Sequence, residues 1–327
     1  MTKNYFLALI AGAALLVAGC NPTINPGPDP SDNPGTTDDG KVTTADLVGT
    51  WTKGEDAYYE LKEDGSYTEK MYGETTTGKW SFNEKDAMLT FTPKEGEVWK
   101  VGVLLIGGKS WMVMVYEYED GGKHYSYDSF RKKGATVESA PLSDGRWDAP
   151  HNGEKPAEYA KDTDYNLCLV VAGDKIDMYV PMWGLHIQGT FTLADGRLHI
   201  ETDDDHIWAG KYIGANFISW SAGDAPSEDF KDTWDESYGA MNAETFELQA
   251  PYQWYSVTEI LSRGKDPEKY KDEYDKDPVN FKWMIWQVGV GVRQEALDLC
   301  DFDLCVTPDG KQAFGGAVGL TPVFYKR

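Results

Sequence analysis

Between Leu47 and Lys133 the chain is cut into short runs of alternating apolar and polar residues, each ending in a tight turn rich in Gly, Asp or Asn. Alternation with period two belongs to strands that bury one face and wet the other, whereas an amphipathic helix needs a 3.6-residue period. Ala57 to Lys62 runs into Glu63-Asp64-Gly65 and returns as Ser66 to Tyr72. Gly78-Lys79-Trp80-Ser81-Phe82 turns at Asn83 to Asp86 and returns as Met88 to Thr92. Val98 to Ile106 turns at Gly107-Gly108 into Trp111 to Tyr118, and His124 to Arg131 follows Gly121-Gly122. With Gly49-Thr50-Trp51 at the head, the series holds about eight short strands. Such strands form an antiparallel meander, and closing it into a barrel leaves no bare edge.

The series then recurs. Gly145-Arg146-Trp147 follows a linker at about residues 133–143 and repeats the Gly-x-Trp opening. Gly189-Thr190-Phe191-Thr192-Leu193 and its return through Leu198-His199-Ile200 track Gly78 to Phe82 and Met88 to Phe91. The closing Val323-Phe324-Tyr325-Lys326-Arg327 matches Ser129-Phe130-Arg131-Lys132. A second, enlarged copy is therefore expected over residues 142–327. It carries a long loop at 148–164, with a helical turn at Ala157 to Lys161, and an insertion at about 222–280 in which Ser256 to Tyr274 reads as partly helical. The expected fold class is all-β, with two antiparallel meander β-barrels at 44–134 and 142–327.

Gly49-x-Trp51 on a first strand, an eight-strand up-and-down meander and a basic residue on the last strand resemble a lipocalin-type (calycin) domain. The first copy is similar in particular to the short lipocalin-like domains of Gram-negative lipoproteins. The resemblance implies that Trp51 plugs one end of the barrel and that a last-strand cation, Arg131, lies across it. Gly145, Trp147 and Arg327 would repeat this closure in the second copy. A cation over an indole contributes about 0.5–2 kcal/mol. The resemblance also implies ligand binding. Eight strands leave little interior room, and the bulky Trp80, Phe82, Phe91 and Trp111 would fill the first barrel, so a ligand is expected in the second. Trp51, Trp80, Trp111 and Trp147 read as core residues.

Ahead of the barrels, Lys3 and an apolar stretch from Tyr5 to Val17 lead into Val17-Ala18-Gly19-Cys20. A short apolar run ending in small residues before a cysteine has the form of a lipoprotein signal peptide, here 1–19. Cys20 would become the acylated first residue and hold the protein to the membrane. Residues 20–43 are rich in Pro, Gly, Asp and Thr and read as a disordered tether. Asn21 after the cysteine does not resemble the inner-membrane retention signal, so an outer-membrane lipoprotein is expected, on either face. A net charge of −23 repels nucleic acid and anionic lipid alike, which leaves the acyl chains to do the anchoring.

Few residues point to chemistry. Of the four cysteines, Cys168, Cys300 and Cys305 remain after Cys20, enough for one disulfide at most or for three buried thiols. His199, Glu201, Asp203, Asp205 and His206 are weak metal candidates within an acidic hairpin tip. No His-Glu-x-x-His, P-loop or dinucleotide motif occurs, and Ser219-Trp220-Ser221-Ala222-Gly223 only half-matches a nucleophile elbow. No catalytic residue and no cofactor is assigned. Aromatics give the better lead, because 12 Trp and 19 Tyr exceed what plugging two barrels requires. Trp183, Tyr252, Trp254, Tyr255, Trp283 and Trp286 are candidates for stacking on a sugar or an apolar ligand. The expected function is binding of a small apolar ligand or glycan; the alternatives are a non-catalytic structural or interaction module and a glycan-active hydrolase.

Overall fold

The computed structural model describes residues 41–327 apart from 55–56, 72, 120–122, 152, 154, 156–164, 182–183, 213–240, 243, 249–251, 267, 277–280, 282–291 and 317–320. The leader, Cys20 and most of the tether lie outside the described residues, as does the helical turn expected at 157–161.

Alternation is realised as strands throughout the first copy. β1 (Gly49–Lys53), β2 (Ala57–Leu61), β3 (Ser66–Met71), β4 (Glu74–Asn83), β5 (Met88–Pro93), β6 (Trp99–Ile106), β7 (Trp111–Glu119) and β8 (Lys123–Lys132) each pair antiparallel with the next. β8 returns to β1 through Trp51↔Lys132 and Thr52↔Arg131, and the sheet closes into barrel 1. A short helix, α1 (Thr44–Leu47), precedes β1.

The second copy is also a closed ring of eight. Its strands are β9 (Gly145–Pro150), β10 (Tyr165–Ala172), β11 (Lys175–Val180), β12 (Leu185–Ala194), β13 (Arg197–Glu201), β16 (Asp301–Val306), β17 (Gln312–Gly316) and β18 (Val323–Lys326). The ring is left between β13 and β16, its fifth and sixth strands. There β14 (Ile207–Tyr212) pairs with the first half of β12, and β15 (Tyr252–Ser256) pairs with β14. The described helices that follow are α2 (Val257–Lys265), α3 (Lys271–Lys276) and α4 (Val292–Leu299). The excursion from the ring is wider than the stretch 222–280 expected, and helix content at 257–265 and 271–276 agrees with the expectation. Two closed eight-strand antiparallel barrels fit a tandem lipocalin-like architecture.

The two barrels share one register, residue for residue. Trp51 faces Tyr59, and Trp147 faces Leu169. Tyr59 faces Glu69, and Leu169 faces Met178. Tyr67 faces Gly78, and Ile176 faces Gly189. Trp80 faces Phe91, and Phe191 faces Ile200. A Cβ on Gly78 would lie 2.2 Å from the Thr92 carbonyl oxygen, and one on Gly189 2.3 Å from that of Glu201. Thr92 pairs with Lys79 and Glu201 with Thr190, so both glycines admit the same close approach of the neighbouring strand.

The interiors differ in chemistry. Barrel 2 is packed with aliphatic side chains around Trp147, Phe302 and Phe324. Val257 of α2 and Ala296 and Leu299 of α4 join that core, at the end away from Trp147. Barrel 1 buries Trp51, Tyr59, Tyr67, Trp80, Phe91 and Phe130 with Leu, Val and Met. A third cluster lies between the barrels, where Ile106, Trp111, Val113, Val115 and Tyr127 meet Val137, Cys305, Phe314, Val323 and Tyr325. Trp111 is thus buried outside barrel 1, against barrel 2, rather than filling the barrel as expected. Its place on β7 explains this, because Met112 and Met114 take the inward positions and Trp111 has the opposite parity.

Candidate functional site

The closed base of each barrel is built from the repeated Gly-x-Trp. Trp51 Nε1 donates to the Leu47 carbonyl of α1 at 2.7 Å, and Trp147 Nε1 donates to the Ser143 carbonyl at 2.9 Å. The cation over Trp51 is Lys132, with Nζ 5.1 Å from the ring centroid; over Trp147 it is Lys326, at 5.9 Å. Both ammoniums are also held by hydrogen bonds, Lys132 to the Asp46 carbonyl at 2.9 Å and Lys326 to Ser143 Oγ at 2.7 Å. Gly49 and Gly145 have positive φ and leave the lysine stems room to pass: a Cβ would lie 3.1 Å from Lys132 Cε and 3.7 Å from Lys326 Cε.

The cations therefore sit one residue away from the arginines expected. On β8 the inward residues are Phe130 and Lys132, so Arg131 points outward and forms an ion pair with Asp195 in the β12–β13 turn. Arg327 lies beyond the end of β18. It forms ion pairs with buried Asp148 and with Glu244, and donates to Tyr165 Oη at 2.8 Å. Both arginines fasten surfaces together; neither lies on an indole.

Toward its other end, which we call the mouth, the inward positions of barrel 1 carry polar and aromatic groups, of which Lys53, Glu69, Trp99, Tyr116 and Asp128 are partly exposed. Glu69 on β3 faces inward and accepts a hydrogen bond from Tyr59 Oη at 2.9 Å. Burial raises the Glu69 carboxyl above its ordinary value, and the Tyr59 bond only partly offsets this. Burial likewise raises the Tyr59 phenol, aided by the nearby Tyr116, Glu69 and Asp128. Asp128 forms an ion pair with Lys53 at 2.6 Å. Trp99 stacks on Phe91 at 4.2 Å and 20°, and Tyr116 lies 6.4 Å beyond it at 21°. Tyr67, 1% exposed, packs edge-on to Phe91 at 4.9 Å, and its hydroxyl has no hydrogen-bond partner among the described residues. Val98 and Tyr118, 57% and 38% exposed, stand on the rim.

The register shows what barrel 2 places at the same points. Lys53, Tyr59, Tyr67 and Glu69 correspond to Ala149, Leu169, Ile176 and Met178. Trp99 corresponds to Cys300, the residue before β16, and Phe91 to Ile200. These polar inward positions belong to the first copy, whereas the sequence points to the second as the copy that holds a ligand.

Of the aromatic candidates, Trp254 and Tyr255 have described ring contacts. Trp183, Trp283 and Trp286 lie outside the described residues. Tyr252, Trp254 and Tyr255 fall on β15. Trp254 meets His186 edge-on at 5.9 Å, and Arg263 lies 5.2 Å over the Tyr255 ring. His186 belongs to a ladder across the outer face of barrel 2, in which Phe246 stacks on Tyr179 at 3.9 Å, Tyr179 on His186 at 4.2 Å, and His186 on Trp208 at 4.7 Å. Arg146 caps the ladder 4.4 Å from Phe246. These rings use their faces on one another and fasten the stretch around Phe246 to the barrel wall.

The metal candidates do not converge. The strand ends at Glu201, and Asp203 caps a single 3-10 turn at Asp204–His206, accepting from the Asp205 N–H and lying 2.7 Å from His206 Nδ1. His199 and Glu201 stand exposed on β13. Among the described residues no group of three or more His, Cys, Asp or Glu side chains is arranged around a common point. Cys168, Cys300 and Cys305 are buried thiols, and burial pushes Cys300 up to about 12, which leaves it a poor nucleophile.

Comparison with models of known protein families and with curated proteins finds no match to this chain.

Proposed function

We propose that the protein is a lipocalin-like lipoprotein of the cell envelope. In this reading, the first barrel binds a small ligand with an apolar body at its open mouth and the second serves as scaffold. One observation carries it. In two barrels of one register, the first replaces the leucine, isoleucine and methionine of the second by Tyr59, Tyr67 and Glu69. Barrel 2 indicates that the fold does not require polar groups at these points. Burying a carboxyl and a phenol costs stability unless they are satisfied, so a role outside folding accounts for their presence. The aromatic walls Phe91, Trp99 and Tyr116 and the exposed rim residues Val98 and Tyr118 suit an apolar ligand body.

The Gly-x-Trp base with its lysine, repeated in both copies, supports the lipocalin-like reading. The leader ending in Cys20 supports acylation there and attachment to the outer membrane, with palmitate-type chains as the anchor. Expression of the full chain and of Cys20→Ser tests the anchor: the native chain should partition with membranes and the variant should not.

Ligand binding is tested by titrating the chain with fatty acids and a glycan panel while tryptophan fluorescence is followed, with Trp99→Phe as reference. A ligand that shifts emission in the native chain and leaves Trp99→Phe unchanged supports the mouth. A flat response to the whole panel moves the first barrel to the scaffold role of the second.

A further inference from the structure

Building on the reading of the barrel 1 mouth as the ligand seat, we infer that its ligand class is an organic cation: an ammonium group carried on an apolar or aromatic body. Among the described residues Glu69, Asp128 and Lys53 hold inward positions at the mouth. Lys53 is 2.6 Å from Asp128 and satisfies it. Glu69 is left with a neutral partner, the Tyr59 phenol at 2.9 Å, and among the described residues no Lys, Arg or His forms an ion pair with it. A half-buried carboxylate held by a phenol alone is short of positive charge.

The walls have the same preference. Tyr59, Tyr67, Phe91, Trp99 and Tyr116 form one contiguous aromatic surface, with centroid separations of 5.3 Å for Tyr59–Phe91, 4.9 Å for Tyr67–Phe91, 4.2 Å for Phe91–Trp99 and 6.4 Å for Trp99–Tyr116. Ring faces are negative in their quadrupole and attract cations, most strongly where water is excluded. Phe91 covers one face of Trp99, so the partly exposed Trp99 and Tyr116 are the rings left to meet a ligand, and aromatic rings near a carboxylate recognise ammonium groups. Tyr67 adds an independent sign of a missing partner. It is 1% exposed, its hydroxyl has no hydrogen-bond partner among the described residues, and it lies close enough to Glu69 for the carboxylate charge to raise the phenol further. A buried orphan hydroxyl beside an acid without a counter-ion marks the place where a ligand's polar head completes the set. A glycan would call for several hydrogen-bonding side chains in a row, whereas the inward wall here is mainly aromatic.

The test measures affinities of the full chain for alkyl- and arylammonium compounds, such as 2-phenylethylammonium and hexylammonium, each paired with the alcohol of equal size. Trp99 emission and calorimetry give the readout. The ammonium member of a pair should bind at least about tenfold more tightly than its alcohol, as a charge-assisted hydrogen bond and a cation–π contact together require. Glu69→Gln should erase that preference while the alcohol binds as before. Trp99→Leu should weaken the ammonium compounds more than the alcohols. Equal affinity for both members of every pair overturns the cationic class and leaves the mouth standing as a site for neutral ligands. Binding of neither class, or binding that Trp99 does not sense, removes the mouth as a ligand seat and the cationic inference with it.

Discussion

Glu69 and Met178 occupy the same point in two barrels of one chain, each facing inward on the third strand and each opposite the inward residue of the second, Tyr59 or Leu169. The acid carries a pH signature that the thioether cannot. Burial raises Glu69 above its ordinary value of 4.5, so the folded state holds that proton more tightly than the unfolded chain. The sign follows from proton linkage: the contribution is whole below pH 4.5 and fades as pH rises through the folded-state value. Urea midpoints measured from pH 4 to pH 8 should fall more in the native chain than in Glu69→Met. Parallel curves would show that Glu69 is not buried as described.

Tyr67 gives a prediction of opposite sign to most core substitutions. Its hydroxyl is buried without a partner. Tyr67→Phe should therefore stabilise the ligand-free protein, by up to about 1–3 kcal/mol, the cost of an unsatisfied buried polar group. A lowered urea midpoint would mean that the hydroxyl is satisfied.

Lysine, and not arginine, closes each barrel. Lys132→Met and Lys326→Met should each cost about 1–2 kcal/mol, because each loses a cation–π contact and one hydrogen bond. Arg131→Met loses a partly exposed ion pair and should cost about 1 kcal/mol or less. Equilibrium denaturation of the three variants decides the order. A larger loss at Arg131 than at Lys132 would contradict the base geometry.

Gly78→Ala and Gly189→Ala should destabilise to a similar extent, by about 1–3 kcal/mol or more, because the new Cβ meets a carbonyl oxygen of the next strand in both cases. Gly316→Ala serves as control, since among the described residues nothing lies within 4 Å of its Cβ. Thermal melts should show two losses and one near-neutral change.

Much of the architecture was legible in the sequence. Period-two runs between Gly and Asp turns gave the strands of barrel 1, and the recurrence of Gly-x-aromatic at Gly78 and Gly189 gave the second barrel in the right register. Strand parity sets the closing cation, Lys132 opposite Trp51 and Lys326 opposite Trp147. Phe130 is apolar and inward, so Lys132 shares its face and Arg131 does not; the repeat itself sets Lys132 against Lys326 and Arg131 against Tyr325. The mouth was missed because Glu69 in Tyr67-Thr68-Glu69-Lys70 reads as one more surface charge. Only pairing with Tyr59 turns it inward, and that pairing is non-local. Trp111 is a core residue as its sequence implies, but it is buried against barrel 2, and one sequence cannot tell a face buried in a barrel from a face buried against a neighbour.

The wall that the barrels share sets how the molecule comes apart. Ile106, Trp111, Val113 and Val115 on one side and Phe314, Val323 and Tyr325 on the other are dry only while both partners stand. Melting either copy alone would strand that apolar surface in water, so the second loses much of its support as the first goes. Heated or placed in urea, this tandem repeat should disassemble in a single concerted step.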